Sequence, residues 1–401
     1  MQENKPRRPV NVRRPEVLEQ VAQDISRYSS PLVDKLRANG NHLALANLDL
    51  YLADSFGFCD GVRRAIEIAY ATIRLFKGHR IWLIGEIIHN PEVNSQLDAL
   101  GLLHLPWREN DPAYDALTEE DVVIVPAFGV TRSMRDKLEG KGVQLVDSTC
   151  GNVIKVWHRV RTYAAAGVTS VIHGKALHEE SVATASQSCG QDGTGNFIMV
   201  LNEREAQMVA DFITGGLTAA DLMKHFSDRV SPGFNPELHL QEIGLANQTT
   251  MLKSETARIQ EILHAAVVRR DGSAGRFHAF DTICDATQSR QDALFKLLDL
   301  DLDAMMIIGG YNSSNTTHLA QIASGSVHTY FVKDDACLES TSCIRCYDFE
   351  THCETARSLP RGAADMQRVL KVGITAGASC PANVIEQVIR RLAELRNCPL
   401  P

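Results

Sequence analysis

The chain has 401 residues, 44% apolar and 22% charged, with a formal net charge of −8; this is an ordinary balance for a soluble globular protein with room for two or three domains. The negative charge argues against general nucleic-acid binding, and no apolar run approaches membrane-spanning length. Ten cysteines without a secretory leader fit a reducing interior.

The opening MQENKPRRPVNVRR is rich in Pro and Arg and reads as extended. Glu16 to Arg37 follows with one or two amphipathic helical patterns (Leu18, Val21, Ile25; Leu32, Leu36). A transit peptide is the competing reading, disfavoured by the prolines and the early Glu3, so residues 1–47 read as a surface-wrapping arm. Leu48 to Phe58 reads as a strand that delivers Cys59 to an amphipathic helix (Val62, Ala65, Ile66, Ala69). Arg63 and Arg64 on that helix either attract an anion or form a solvated face, the commoner meaning of such a pair.

Ile81 to Ile88 has a buried-strand pattern that ends at His89-Asn90-Pro91, where Pro91 suits a first helical turn. His89 is thereby placed at a strand's carboxyl end, as a cap, a packed residue or an anion ligand. Asp121 to Ala127 gives another strand, then Phe128-Gly129-Val130 and a helix. Val143, Leu145 and Val146 run into Asp147-Ser148-Thr149, then Cys150, then a helical face of Val153, Val156, Trp157 and Val160. A cysteine beside the first N–H groups of a helix favours the thiolate, the form that binds metal.

Val168 to His173 is a further strand, followed by His178-Glu179-Glu180 at a helix start, where a Glu in the first turn also complements the helix dipole. Residues 186–240, with a Gly-rich GQDGTG, a strand at Phe197 to Leu201 and two short helical patterns, elaborate this unit. In Asn247-Gln248-Thr249-Thr250 the two threonines are candidate caps as well as candidate ligands. Asp281-Thr-Ile-Cys284 repeats the spacing of Asp147 to Cys150 and again leads into a helix (Leu294, Leu297, Leu298).

Met305 to Gly310 is a strand that enters Asn312-Ser313-Ser314-Asn315, and Val372 to Thr375 is one that enters Ala376-Gly377-Ala378-Ser379, with Pro381 opening the last helix. A strand, then Ser, Asn or Gly, then a helix presents N–H groups and hydroxyls to phosphate. With His89 and His178 at similar joints, these segments read as an oxyanion pocket.

Cys59, Cys150 and Cys284, at three matching joints with no fourth, suggest an iron–sulfur cluster with one iron left open; a Cys₃His zinc site and buried structural cysteines are the rival readings. Cys337, Cys343, Cys346 and Cys353 form a second group, but the three-residue step within an apparent strand points Cys343 and Cys346 to opposite faces, so they read as structural. Cys189, Cys380 and Cys398 have no partner pattern. There is no strand–GxGxxG–helix fingerprint and no Walker A loop, so a redox reaction here would take its electrons from another protein.

The ordered set GFCDGVRRAI, EIIHNPEVN, VDSTCGNVIKVW, IHGKALHEE, NQTTM, ICDATQSRQDA, NSSNTTHL and TAGAS resembles the 4-hydroxy-3-methylbut-2-enyl diphosphate reductase (LytB) family, in its plant and cyanobacterial form, from about Leu48 to Leu395. The resemblance implies an α/β trefoil: three α/β units with small, mostly parallel sheets around a central iron–sulfur cluster, plus the arm. Its expected divisions are residues 48–150, 151–283 with an insertion, 284–395, and a tail at 396–401. It implies reductive dehydroxylation of an allylic alcohol diphosphate to isopentenyl and dimethylallyl diphosphate, with a 4Fe–4S cluster on Cys59, Cys150 and Cys284. Glu180 is the implied proton donor, with Thr249 and Asn315 in its hydrogen-bond network. His89, His178, Ser313, Ser314, Asn315 and Ser379 are the implied diphosphate ligands.

An electron donor of ferredoxin or flavodoxin type and a cytoplasmic location (plastid stroma in a plant or alga) accompany that reading. Two positions depart from the family pattern: Phe128 stands where many bacterial members have His, and Gly151 where Pro commonly follows the second cysteine. A quinolinate-synthase-like 4Fe–4S dehydratase, disfavoured by the HNP, HEE, QTT and SSN motifs, and a non-catalytic iron–sulfur sensor are the alternatives.

Overall fold

The computed structural model describes residues 10–190, 192–280, 282–360, 365 and 367–400; Asp281, half of the second Asp-to-Cys spacing, lies outside the described residues. Leu75–Ile87 and Gly101–Cys284 make up the body of one compact unit, and Arg13–Arg74, Ile88–Leu100 and Asp285–Pro401 form the other.

The first unit is built on two four-stranded sheets, parallel throughout. One has the spatial order Leu103–Leu105, Ile81–Ile84, Val122–Val125, Gln144–Asp147. The other has the order Phe277–Ala279, Ile243–Asn247, Thr169–His173, Phe197–Val200. Val122–Val125, Thr169–His173 and Ile243–Asn247 are buried at every position. Central strands covered on both faces read as unbroken apolar runs rather than alternating ones.

The second unit has a five-stranded sheet ordered His42–Ala44, Leu48–Leu52, Leu370–Ala376, Ala304–Ile308, Thr329–Val332; only its first pair is antiparallel. Its core joins Leu48, Leu50, Ile307 and Val372 to Val384, Ile385, Val388 and Leu392 of the helix Ala382–Leu395. A three-stranded antiparallel ribbon, Leu338–Ser340, Cys343–Asp348 and Cys353–Arg357, packs on the same core. The arm folds into two helices, Pro15–Ile25 and Pro31–Ala38, the second capped by Ser30 Oγ accepting the Val33 N–H at 2.9 Å.

Two strands stop earlier than their apolar runs. Leu48–Leu52 ends well short of Phe58, and Ile81–Ile84 short of Ile88. The first chain bends at Asp54-Ser55 and the second at Gly85, which lies in the left-handed region at φ 61° directly after its strand, while Phe56, Ile87 and Ile88 remain buried. His89 consequently sits in a loop beyond the strand rather than at its last residue. No helix among the described residues is long and apolar enough to cross a membrane.

Candidate active site

Because the strands of both four-stranded sheets, and all but His42–Ala44 of the five-stranded one, run parallel, their carboxyl ends share one edge of each sheet, the usual place for ligand contacts in an open α/β sheet. In the first unit Gln144–Asp147 leads to Cys150, Thr169–His173 leads to His178, and Ile243–Asn247 leads to Thr249. In the second, Ala304–Ile308 leads to Ser313, and Leu370–Ala376 leads to Ser379.

Cys150 is the N-cap residue of the helix Gly151–Ala165, with extended backbone, and its N–H donates to Ala127 O at 3.0 Å. The preceding turn is tied by Asp147 Oδ1, which accepts the Thr149 N–H at 2.9 Å. Trp157 lies over Gly129, where a Cβ would meet the indole at 2.3 Å; only glycine allows that approach at φ 78°. His178 caps the helix Glu179–Ser188: its Nδ1 accepts the Glu180 N–H at 3.1 Å, which puts the proton of the neutral ring on Nε2. The Phe128 ring meets His178 edge-on at 5.8 Å and 83°.

Glu180 is 2% exposed, and its carboxylate accepts the Thr249 N–H at 2.6 Å and the Thr249 Oγ1–H at 3.0 Å. Thr249 O in turn accepts the Cys284 N–H at 3.3 Å, so one residue holds both the acid and the third thiol joint. Gln248 Oε1 accepts the Lys175 N–H and the Ser181 hydroxyl, both at 3.1 Å, and burial pulls the Lys175 ammonium below the usual lysine range.

In the second unit, Cys59 N–H donates to Ala378 O at 3.2 Å, and its Sγ accepts the Val62 N–H at 3.4 Å at the start of the helix Asp60–Leu75. The chain before it is held at each residue. Arg37 Nη2 donates to Phe56 O at 3.1 Å with its guanidinium 4.3 Å over the Phe56 ring, Arg290 donates to Gly57 O, and Tyr28 meets the Phe58 ring edge-on at 5.7 Å.

His89, Ser313, Ser314, Asn315 and Ser379 are each 7% exposed or less. Ser379 Oγ donates to His89 O at 3.1 Å and lies 3.4 Å from Ser313 Oγ, while Asn312 Nδ2 lies 3.2 Å from His89 Nδ1. Ser313 caps the helix Ser314–Ser324, and Asn315 Oδ1 accepts the Ala378 N–H at 2.9 Å. That leaves Ser314 Oγ and Asn315 Nδ2 buried with no hydrogen-bond partner among the described residues. Two orphaned polar groups in the first turn of a helix are costly unless an anion receives them.

The first unit thus brings His178, Glu180, Thr249 and Cys284 together, and the second brings His89, Ser313, Asn315 and Ser379 together with the Cys59 loop. All ten cysteines are thiols, with no disulfide. Burial holds the Cys337, Cys346 and Cys380 thiols above their usual range, which suits packing and not ligation. The sequence placed Asn312 in the anion-presenting segment with Ser313, Ser314 and Asn315 without pairing it to His89, and it carried no signal for Tyr28, Arg37 and Arg290 as clamps.

The chain matches the LytB protein family over residues 50–393. It belongs to that family. The 4-hydroxy-3-methylbut-2-enyl diphosphate reductase of Synechococcus sp. (strain RCC307) is 42% identical over 383 residues, covering 94% of this chain and 91% of that protein. The same enzyme of Gloeobacter violaceus is 42% identical over 379 residues, covering 92% and 88%. Among solved structures, one of (E)-4-hydroxy-3-methyl-but-2-enyl diphosphate reductase aligns at 26% identity with a TM-score of 0.52, over 86% of this chain and 99% of that one. The reductase from Plasmodium falciparum, at 21% identity, a TM-score of 0.60 and 86% and 88% coverage, shares the fold. The mixed α/β plan with small, mostly parallel sheets is therefore the LytB plan, and this LytB protein carries its helix-capping Cys150 with Gly151, not Pro, at the first helical position.

Proposed function

We propose that the chain reductively dehydroxylates (E)-4-hydroxy-3-methylbut-2-enyl diphosphate to isopentenyl and dimethylallyl diphosphate, the last step of the methylerythritol phosphate route. Two electrons and two protons enter, the allylic C–O bond breaks, and the oxygen leaves as water. The observation that carries the reading is the pair of orphaned donors, Ser314 Oγ and Asn315 Nδ2, in a nearly closed set of hydroxyl, amide and imidazole groups. Such a set matches the oxygens of a diphosphate, as does the His178 Nε2–H.

Cys59, Cys150 and Cys284 are the proposed iron ligands of a 4Fe–4S cluster. Their fit rests on half-buried thiols beside helix starts: the Val62 N–H already points at Cys59 Sγ, as it would at a thiolate. When bound, the cluster supplies Lewis acidity to the substrate hydroxyl and passes on the electrons. Glu180 delivers the proton to the departing oxygen, and the two Thr249 contacts, one to each carboxyl oxygen, hold the group's orientation. The electrons come from a protein of ferredoxin or flavodoxin type, and the setting is the cytoplasm, or the plastid stroma of a plant or alga.

The test is turnover of the allylic diphosphate by anaerobically prepared protein with a chemical reductant. Both C5 diphosphates are expected as products, and Ser314→Ala with Asn315→Ala is expected to raise KM at least tenfold, since each lost bond to a charged group is worth about 1.5–3 kcal/mol. Absence of product from iron-loaded protein contradicts the proposal.

A further inference from the structure

The ribbon bearing Cys343, Cys346 and Cys353 supplies none of the proposed ligands. Its strands Cys343–Asp348 and Cys353–Arg357 pair with Tyr347 opposite Glu354. The Glu354 carboxylate is the hub of a charged cluster: it accepts from Lys333 Nζ at 2.7 Å, Arg345 Nη1 at 3.0 Å and Tyr311 Oη at 3.1 Å. Lys333, then the Tyr311 hydroxyl and the Lys333 and Arg345 charges, hold this carboxyl below its usual range against burial, so it is an anion at neutral pH. Tyr311 is pinned on its other faces as well. Its ring stacks on Tyr347 at 5.0 Å and 30°, meets Phe331 edge-on at 5.1 Å, and its Oη lies 3.6 Å from Cys337 Sγ.

Tyr311 is also the first side chain of the anion loop. The next residue, Asn312, reaches His89, and Ser313 follows as the cap of the phosphate-facing helix. The loop passes so close to His89 that a Cβ at Gly310 would lie 2.7 Å from the His89 carbonyl oxygen. A shift of the Tyr311 ring is therefore passed through two peptide units to the groups that grip the anion, with little slack to absorb it.

We propose that the Leu338–Arg357 ribbon is a brace for the diphosphate loop, and that Glu354 is a positioning residue that acts on substrate affinity through the Tyr311 hydroxyl. The inference rests on the assignment of Ser313, Ser314 and Asn315 to the diphosphate. It predicts a defect in binding and not in the chemical step, because Glu354 and Tyr311 act on Lys333, Arg345, Phe331, Tyr347 and Cys337, none of them a proposed iron ligand or proton donor.

The experiment compares Glu354→Ala, Tyr311→Phe, the double variant and Ser314→Ala in the iron-loaded full chain, by KM, kcat, melting temperature and iron content. Tyr311→Phe keeps the ring packing and removes only the hydroxyl, so it reports even where Glu354→Ala folds poorly. Both single variants are expected to raise KM about tenfold, as befits one hydrogen bond to a charged acceptor, with kcat within about twofold and iron content unchanged. The double variant is expected to be no worse than Glu354→Ala alone, because the bond that Tyr311→Phe removes is already absent there. Glu354→Gln, which retains an acceptor, is expected to recover part of the affinity. A normal KM in Tyr311→Phe, or additive effects in the double variant, overturns the brace. If Ser314→Ala also leaves KM unchanged, the assignment of the loop to the diphosphate falls instead.

Discussion

Replacing Glu180 with Gln separates structure from chemistry at the proposed proton donor. The amide is isosteric with the carboxylate. Its remaining oxygen takes the Thr249 N–H that Glu180 Oε1 accepts at 2.6 Å, and its NH₂ faces Thr249 Oγ1, at 3.0 Å from Glu180 Oε2, which turns from donor to acceptor. Both contacts survive in neutral form, so stability should fall by only about 1 kcal/mol, the difference between a charge-assisted and an ordinary hydrogen bond. The proton, by contrast, is lost outright. A positioned general acid contributes about 10²- to 10⁴-fold, or about 2.7–5.5 kcal/mol of barrier. The assay is steady-state turnover with a chemical reductant, beside calorimetric binding of the diphosphate and iron analysis. Normal binding and iron with kcat reduced at least about a hundredfold is expected. A kcat within threefold of the parent refutes the role of Glu180.

Gly129→Ala drives a methyl group against the Trp157 ring at 2.3 Å and forces a side chain into φ 78°; a loss of about 3 kcal/mol or more is expected in denaturant unfolding, and a loss under about 1 kcal/mol contradicts the packing argument. Arg37→Ala removes the donor to Phe56 O and the cation over its ring, and should speed iron release to a chelator several-fold while leaving KM alone; an unaltered release rate shows that the arm does not steady the Cys59 loop. Cys343 is half-buried and Cys346 buried on the opposite face of their strand, so changing both to Ser should leave the iron content as it was, and a fall in iron would reveal a second metal group.

The joints were legible because each is a local pattern: an apolar run, a short polar turn, then helical periodicity. Cys150 as helix cap, His178 at the head of Glu179–Ser188 and Ser313 at the head of Ser314–Ser324 all follow from neighbours within a few residues. The same apolar signal overran at Leu48–Leu52 and Ile81–Ile84, because Phe56, Ile87 and Ile88 are buried from loops, and burial alone does not distinguish a loop from a strand. Contacts that join distant segments left no trace. Tyr311 and Glu354 are 43 positions apart, and Gly57 and Arg290 are 233 apart, with no shared spacing to betray either pair. The arm's two helices were readable from period, but its grip on the Cys59 loop through Tyr28 and Arg37 was not.

Iron and sulfide analysis of anaerobically purified protein, with Cys59→Ser, Cys150→Ser and Cys284→Ser measured alongside, tests most directly whether three thiols share one inorganic cluster. About four irons and four sulfides per chain are expected in the parent, and each single serine variant should lose both the brown absorbance and activity. A full complement of iron in any one of the three variants contradicts the account.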